Sequence, residues 1–215
     1  MGEIPRAPPA LISFNHPANL RNVFSALKRL GSQMSAPFEA LPTGFDGLQL
    51  VRPRLFQDQR GLFIKTFRSD QFRELGISFE PREEFYSTSA KNVLRGMHFQ
   101  LPPAAHAKLV YCLSGSVLDV VLDMRRKSAT YGNSFSAVLD NKTRDVLFIP
   151  AGFAHGFLSL EDDSLMVYKT DAVHAPELDS GIAWNSFGFD WKITSPVMSE
   201  RDRKFVAWPE FKSPF

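Results

Sequence analysis

From residue 47 onward the chain is a series of short apolar runs, rich in Val, Ile, Leu and Phe, that are separated by turn residues. Ser116 to Asp123 reads Ser-Val-Leu-Asp-Val-Val-Leu-Asp, an imperfect alternation that suits a strand of a sandwich. Gly115 and Gly152 mark two of the turns. The predicted strands are 61–68, 108–113, 116–123, 134–139, 145–150, 153–160 and 164–170. Such spacing, without intervening helices, predicts an all-β double-stranded β-helix (a two-sheet jelly roll) with a few short helices.

Two helical segments interrupt this pattern. Residues 69–75 predict a short helix with Ser69 as its cap and Gly76 as its stop. Residues 19–30 carry apolar side chains at helical spacing, inside a proline-containing stretch that differs from the rest of the chain. We therefore expect an N-terminal extension over residues 1–45, partly helical or loosely ordered, and a jelly-roll domain over residues 46–215; Met34 is an alternative start.

The composition excludes several classes of protein. With 44% hydrophobic and 22% charged residues, the chain is able to bury a core. The formal net charge of +2 is too balanced to predict a nucleic-acid or membrane partner. Cys112 is the single cysteine, which excludes an intrachain disulfide, and no apolar stretch approaches the ~20 residues that cross a bilayer. A cytoplasmic location is the expectation.

Two of the five histidines lie in unusual surroundings. His98 follows Arg95 and Gly96, and a glycine within a strand lets the backbone bulge and redirect the next side chains. His155 ends the order Pro-x-Gly-x-x-His over residues 150–155, a turn followed by an inward-facing imidazole that is common in cupin-type jelly rolls. These two imidazoles are the first candidates for chemistry.

A metal centre is the less favoured use of these histidines. Metal-binding cupins place two imidazoles in His-x-His, followed by a glutamate, so that the ligands converge on one cation. Here the matching stretch is His98-Phe99-Gln100, which lacks the second imidazole, and His106 follows two prolines on a predicted loop. We predict no metal and no cofactor, and a metal-dependent cupin, such as a dioxygenase or an isomerase, is the alternative.

Seven short motifs together resemble the dTDP-4-dehydrorhamnose 3,5-epimerase family in order and approximate spacing. They are Asp58-Gln59-Arg60-Gly61-Leu62-Phe63, Ser87-Thr88-Ser89, Leu94-Arg95-Gly96-Met97-His98-Phe99-Gln100, Lys108-Leu109-Val110, Gly152-Phe153-Ala154-His155-Gly156-Phe157, Tyr168-Lys169 and Ser199-Glu200-Arg201-Asp202. Each motif is weak alone, but the ordered set is specific. The resemblance covers about residues 47–202 and implies a homodimeric, metal-free jelly roll that acts on a nucleotide-linked 4-keto-6-deoxy sugar.

The chemistry of such a sugar gives roles to the residues carried over. Epimerisation beside a ketone needs a base on one face of the ring, a proton donor on the other and positive charge at the enolate oxygen. The resemblance implies His98 as the base, Asp202 behind it, Tyr168 as the proton donor and Lys108 near the enolate oxygen. His155 is a further residue of the site.

The remaining candidates bind the nucleotide and the rim of the sugar. Arg60 and Arg95 are the predicted diphosphate ligands, because a forked guanidinium grips two phosphate oxygens at once. Phe63 is expected near the base or sugar, and Gln100 belongs to the His98 motif. A non-catalytic nucleotide-sugar-binding module is the second alternative.

The chain departs from the family pattern in this binding shell. A family glutamate is replaced by Lys65, a glutamine and an asparagine by Glu83 and Phe85, and a second tyrosine by His174, with Asp179 as the following acid. Because charge reversal changes which partner is accepted, we expect a substrate other than the ordinary thymidine-linked rhamnose precursor. The sequence leaves open whether C3, C5 or both carbons are inverted.

Overall fold

The computed structural model describes residues 37–215. The predicted helix over residues 19–30 and the order of residues 1–33 lie outside this range. Residues 38–41 already form a strand, so regular structure begins before the boundary that the sequence pattern suggested at residue 46.

Two antiparallel sheets form the domain, as predicted for a jelly roll. The six-stranded sheet has the order β1 (Phe38–Leu41), β2 (Gln49–Pro53), β10 (Val146–Ile149), β7 (Lys108–Ser114), β12 (Ser164–Thr170) and β5 (Glu83–Ser89). The five-stranded sheet has the order β13 (Asp179–Gly181), β6 (Leu94–Gln100), β11 (Phe153–Ser159), β8 (Ser116–Asp123) and β9 (Ser134–Asp140). The sequence pattern missed β1, β2, β5 and β13, whose residues are polar or mix polar with apolar, and it gave no bounds for β6.

A separate hairpin and one α-helix complete the regular structure. Strands β3 (Leu55–Asp58) and β4 (Gly61–Ile64) pair only with each other, so the strand predicted over residues 61–68 is shorter than expected. Helix α1 (Ser69–Glu74) begins at Ser69, and no side chain caps its first turn, so the prediction of Ser69 as cap was wrong. Gly76 follows the helix with φ of +81°, as a stop residue should. No helix in residues 37–215 is long and apolar enough to cross a bilayer.

The core lies between the two sheets. Val110, Met166 and Leu147 from the six-stranded sheet pack against Val121 and Phe157 from the five-stranded sheet, and all five are almost fully buried. Each such side chain stabilises the fold by about 1.5–3 kcal/mol relative to exposure. A second apolar cluster, which includes Trp191, covers the opposite face of the five-stranded sheet with the C-terminal segment.

Strand alternation carries polar groups into the same interior. Lys108 lies two residues before Val110, and His155 lies two residues before Phe157, so each shares the inward face of its apolar neighbour. Asp119 precedes the inward-facing Val121 in the same way on β8 and is fully buried. The sheets therefore hold Lys108, His155 and Asp119 as polar groups inside a largely apolar sandwich.

Candidate active site

A cavity of about 340 Å³ opens beside the C-terminal end of β6 and the N-terminal end of β7. Half of the fourteen residues predicted for the site line it. These are Glu83, Phe85, His98, Gln100, Lys108, His174 and Asp179. Among residues 37–215, no three His, Cys, Asp or Glu side chains are grouped so that they could hold a metal ion.

His98 is directed by an irregularity in β6. The register between β6 and β11 shifts between the pairs His98–His155 and Arg95–Phe157, so β6 carries one extra residue there. Gly96 lies in this stretch with φ of +149°, and a Cβ atom on it would come within 2.6 Å of the Gly156 Cα. Only glycine fits this close approach, as the sequence indicated.

Asp202 stands behind His98, as the resemblance implied. Its Oδ1 lies 2.9 Å from Nε2 of His98, although the N–H direction is not aligned with that oxygen. Its Oδ2 accepts a hydrogen bond of 3.1 Å from the backbone N–H of Gly96. With Nε2 facing the carboxylate, Nδ1 is the ring nitrogen left to act as a base.

Burial and pairing shift the pKa values of His98 and Asp202 in opposite directions. Burial lowers the pKa of His98 below its ordinary value of 6.5, and Asp202 only partly offsets this. Burial alone would raise the pKa of Asp202, but His98 and the Gly96 N–H outweigh it and hold that pKa to about 2. At neutral pH the imidazole is therefore a neutral base and the carboxylate an anion.

Lys108 places a cation beside the base. Its Nζ donates a long hydrogen bond of 3.4 Å to the backbone carbonyl of His98. Burial lowers the pKa of Lys108 to about 8, while the nearby Asp179 and Asp119 carboxylates act to raise it. Among the described residues no carboxylate lies within ion-pair distance of this ammonium, so its charge is available to a ligand.

Tyr168 lies on β12 behind the cavity wall. Its hydroxyl is 3.3 Å from Oγ of Ser87, and its ring stacks on that of Phe85 with 4.8 Å between centroids. Phe85 lines the cavity, whereas Tyr168 is not among the residues that line it. Burial raises the pKa of the phenol above its ordinary value of 10, so the proton stays on Tyr168 at neutral pH.

A second buried imidazole–carboxylate pair joins these elements. Nε2 of His155 lies 2.9 Å from Oδ2 of Asp119, and both residues are almost fully buried. His155 is the register partner of His98, and its ring stands edge-on to Tyr168 at 6.3 Å between centroids. His155 thus neighbours both the predicted base and the predicted acid. The sequence reasoning missed Asp119, whose signal was an acid on the inward face of an apolar strand.

Arg201 belongs to one of the sequence motifs, but the sequence analysis assigned it no role. Its guanidinium pairs with Asp179 and, through Nε at 3.4 Å, with Asp202. It also lies over the Phe205 ring, which packs edge-on against His98 with 5.6 Å between centroids. Arg201 therefore supports the His98–Asp202 pair from the open side of the cavity.

Arg95 lies on the other side of His98. It lines a neighbouring cavity of about 420 Å³ that also includes His98, Arg201 and Asp202. Its Nε donates to Oγ of Ser89 at 3.1 Å, and Nη2 donates to the Thr88 carbonyl at 3.0 Å. The guanidinium is thus held at a site that adjoins the base.

Three of the predicted binding residues do not line the His98 cavity of their own chain. Arg60, Phe63 and Lys65 line a separate cavity of about 880 Å³ around the β3–β4 hairpin. Arg60 is exposed there, and its Nε donates to the carboxylate of Asp58 at 3.1 Å.

Comparison with known proteins identifies the family of this chain. The profile of the dTDP-4-dehydrorhamnose 3,5-epimerase family matches residues 42–210. A protein of that name from Methanothermobacter thermautotrophicus is 38% identical over 175 residues, 79% of this chain and 94% of the relative.

Two solved structures are similar in fold and sequence. The first is the 3,5-epimerase of Legionella pneumophila in complex with dTDP-4-keto-L-rhamnose, at a TM-score of 0.78 and 31% identity, covering 81% of this chain and 95% of that one. The second is the 4-keto-6-deoxy sugar epimerase of the novobiocin gene cluster of Streptomyces spheroides. Its TM-score is 0.77 and its sequence identity is 30%, and the match covers 80% of this chain and 88% of that one. The predicted fold and the predicted enzyme class, an isomerase, are confirmed. The chain belongs to the dTDP-4-dehydrorhamnose 3,5-epimerase family.

Proposed function

We propose that this chain epimerises C3, C5 or both in a nucleotide-linked 4-keto-6-deoxy sugar, with His98 as base, Tyr168 as acid and Lys108 as electrostatic support. The observation that carries the proposal is the 2.9 Å contact between the His98 imidazole and the Asp202 carboxylate, with Lys108 in the cavity that His98 lines. The two structural relatives support the substrate class, because one binds dTDP-4-keto-L-rhamnose and the other is named for 4-keto-6-deoxy sugars.

The proposed reaction moves one proton off the sugar and another back on. Nδ1 of His98 takes the proton from the carbon beside the C4 ketone, and the electron pair moves to the ketone oxygen. The ammonium of Lys108 stabilises the resulting enolate. The Tyr168 hydroxyl then gives its proton to the opposite face of the same carbon, and the pair returns from the oxygen to form the new C–H bond. The imidazolium and the phenolate recover their resting states by exchange with solvent.

The imidazole–carboxylate pair gives His98 the correct form for this step. Asp202 attracts the positive charge that develops on the ring and keeps Nε2 turned away from the substrate. Arg95, beside His98, is suited to a phosphate oxygen of the nucleotide. We further propose that the enzyme works in the cytoplasm, in the assembly of deoxysugar-containing polysaccharides.

Deuterium exchange tests the two proton-transfer roles separately. In deuterated water the wild-type protein should place solvent deuterium at C3 or C5 of nucleotide-linked 4-keto-6-deoxy sugars. His98→Ala should lower this incorporation by about 10²–10⁴-fold, because it removes the base. Tyr168→Phe should keep exchange but lose inversion, because deuterium then returns only from the His98 face. Proton NMR and mass spectrometry of the recovered sugar measure both.

The control for the phenol is Tyr131→Phe, which removes a hydroxyl from an exposed tyrosine outside the cavity and should leave exchange and inversion unchanged. Absence of deuterium from every nucleotide sugar tested with the wild-type protein would contradict the proposed function.

The pH dependence of kcat/KM should have limbs set by His98 and Lys108. Activity should fall with decreasing pH only below 6.5, because the pKa of His98 is lowered, and Asp202→Asn should move this limb to still lower pH by removing the anion that raises it. Activity should fall as the pH rises past about 8, where Lys108 loses its proton. The phenol of Tyr168 does not set this limb, because its pKa is raised.

Lys108→Arg identifies the alkaline limb, because a guanidinium keeps its charge to higher pH. The limb should move upward in that variant and stay in place in Lys127→Arg, a substitution outside the cavity. An alkaline limb that Lys108→Arg leaves unmoved would rule out Lys108 as its source.

We also propose that the active form is a homodimer in which the β3–β4 hairpin packs against a second copy. The hairpin exposes four large apolar side chains, two on each of its faces, and exposed apolar surface of this kind marks an interface. These are Leu55, Phe56, Leu62 and Phe63. The hairpin also carries Arg60 and Lys65, which do not reach the His98 cavity of their own chain. A second copy would supply these cations to the diphosphate of a substrate.

Mixing two inactivated proteins tests the dimer and the shared site together. His98→Ala and Arg60→Ala should each form dimers of low activity. After dissociation and reassociation of an equal mixture, half of the dimers are mixed and each holds one intact site, so activity should recover to about a quarter of wild type. Light scattering follows the mass throughout. A monomeric mass, or no recovery from an exchanged mixture, would refute the shared site.

A further inference from the structure

A buried amide joins two imidazoles in the wall of the 340 Å³ cavity. The side chain of Gln100 is almost fully buried at the end of β6. Its Nε2 lies 3.0 Å from Nδ1 of His106, and its Oε1 lies 3.1 Å from Nδ1 of His174. All three residues line the cavity together with His98 and Lys108. His106 had no role in the proton-transfer chemistry described above.

The surrounding backbone identifies the oxygen and the nitrogen of the Gln100 side-chain amide. Oε1 accepts a hydrogen bond of 2.7 Å from the N–H of Ala175, so it is the oxygen. Nε2 donates a hydrogen bond of 2.9 Å to the carbonyl oxygen of Ala104. That oxygen lies 3.2 Å from Nδ1 of His106. The two hydrogens of one amide nitrogen thus serve these two neighbouring acceptors.

This orientation gives the neutral forms of the two imidazoles opposite tautomers. Nδ1 of His106 accepts from the Gln100 amide, so the proton of His106 is on Nε2. Nδ1 of His174 donates to the Gln100 oxygen, so Nε2 of His174 is an acceptor. The hydrogen bonds that the described residues make to these two rings use Nδ1 alone, which leaves one Nε2 donor and one Nε2 acceptor for a ligand.

Both imidazoles are carried by loops that are tied to the sheet. The N–H of His174 donates to the Glu83 carboxylate on β5 at 2.7 Å. The N–H of Ala107, next to His106, donates to the Asp171 carboxylate at 2.8 Å. A ligand therefore meets groups that are already oriented, which lowers the entropic cost of binding.

We propose that His106, Gln100 and His174 form a recognition subsite for a substrate group that presents one hydrogen-bond acceptor and one donor. A sugar hydroxyl presents both on one oxygen, and the imide edge of a uracil or thymine base presents both on adjacent atoms. The inference rests on the proposed function, because it assigns the part of the nucleotide sugar that this wall of the site selects. Discrimination arises because a group lacking either partner leaves a polar nitrogen unpaired.

The tautomers are measured directly by NMR. In ¹⁵N-histidine-labelled protein at alkaline pH, His106 should show a protonated Nε2 and His174 a protonated Nδ1. The loss of signals in His106→Phe and in His174→Phe assigns the resonances of the two rings. Gln100→Leu should remove the difference, since it removes the amide that imposes it. The same tautomer in both rings of the wild-type protein would overturn the subsite.

Binding and kinetics identify the group that is recognised. His106→Phe and His174→Phe keep a ring of similar size, and each should weaken binding by about tenfold. An increase in the Kd of a nucleoside diphosphate such as dTDP or UDP assigns the base edge. An unchanged Kd with an increased KM of the nucleotide sugar assigns a sugar hydroxyl. Val173→Ala, which alters the exposed neighbour of His174, is the matched control and should change neither.

Unchanged Kd and KM in both imidazole variants would overturn the subsite even if the tautomers are opposite. Deuterium incorporation by the wild-type protein, run on the same preparation, separates this outcome from failure of the proposed function. If the wild type exchanges deuterium while the variants bind normally, only the subsite is wrong. If the wild type exchanges none, the epimerase proposal fails, and the nucleoside diphosphate titration still decides the base-edge form of the subsite.

Discussion

The contact between His98 and a buried carboxylate is the interaction on which the site depends. His98, the Gly96 N–H and Arg201 face Asp202 and favour its anion in a largely buried position. In return it engages Nε2 of the ring and leaves Nδ1 as the nitrogen for the proposed base. The contact requires β6 to bulge, and the bulge requires a residue without a Cβ atom at position 96. A local constraint on one glycine thus positions the predicted base.

The sheets hold further charged groups at a cost to stability. Lys108 and Asp119 face inward from central strands, where burial disfavours the charged form of each. The apolar clusters on the two faces of the five-stranded sheet offset this penalty. Because strands are rigid, the groups stay in place before a substrate arrives. This is the arrangement that electrostatic stabilisation of an enolate requires.

Much of the fold followed from alternation and turn residues, and the exceptions have physical reasons. Strand β8 matches its predicted bounds, because its alternating apolar residues lie between clear turns. Strands β1, β2, β3, β5 and β13 were missed because each is stabilised by pairing with a neighbour rather than by its own pattern. The α-helix begins at Ser69 without a side-chain cap, since the apolar contact of Phe72 holds it in place.

The site was less accessible to reasoning from residues alone. His98 and Asp202 are far apart in sequence, and only the resemblance paired them. His106 follows two prolines on a loop, and its sequence context contains no sign of the amide that joins it to His174. Asp119 was the exception with a signal, an acid between inward-facing valines. Arg60 and Phe63 were recognised by motif and Lys65 as a departure from the family pattern, but all three line a separate cavity around their hairpin.

The central claim is that His98 and Tyr168 act on opposite faces of one sugar ring. It is tested most directly by a crystal structure of the protein with a nucleotide-linked 6-deoxyhexose that carries a hydroxyl instead of the C4 ketone and does not react. The account predicts the hexose in the 340 Å³ cavity, with Nδ1 of His98 against C3 or C5, the C4 oxygen within hydrogen-bond distance of Lys108 Nζ, and the Tyr168 hydroxyl beyond the opposite face. A hexose bound elsewhere, or one with both side chains on the same face, would contradict it.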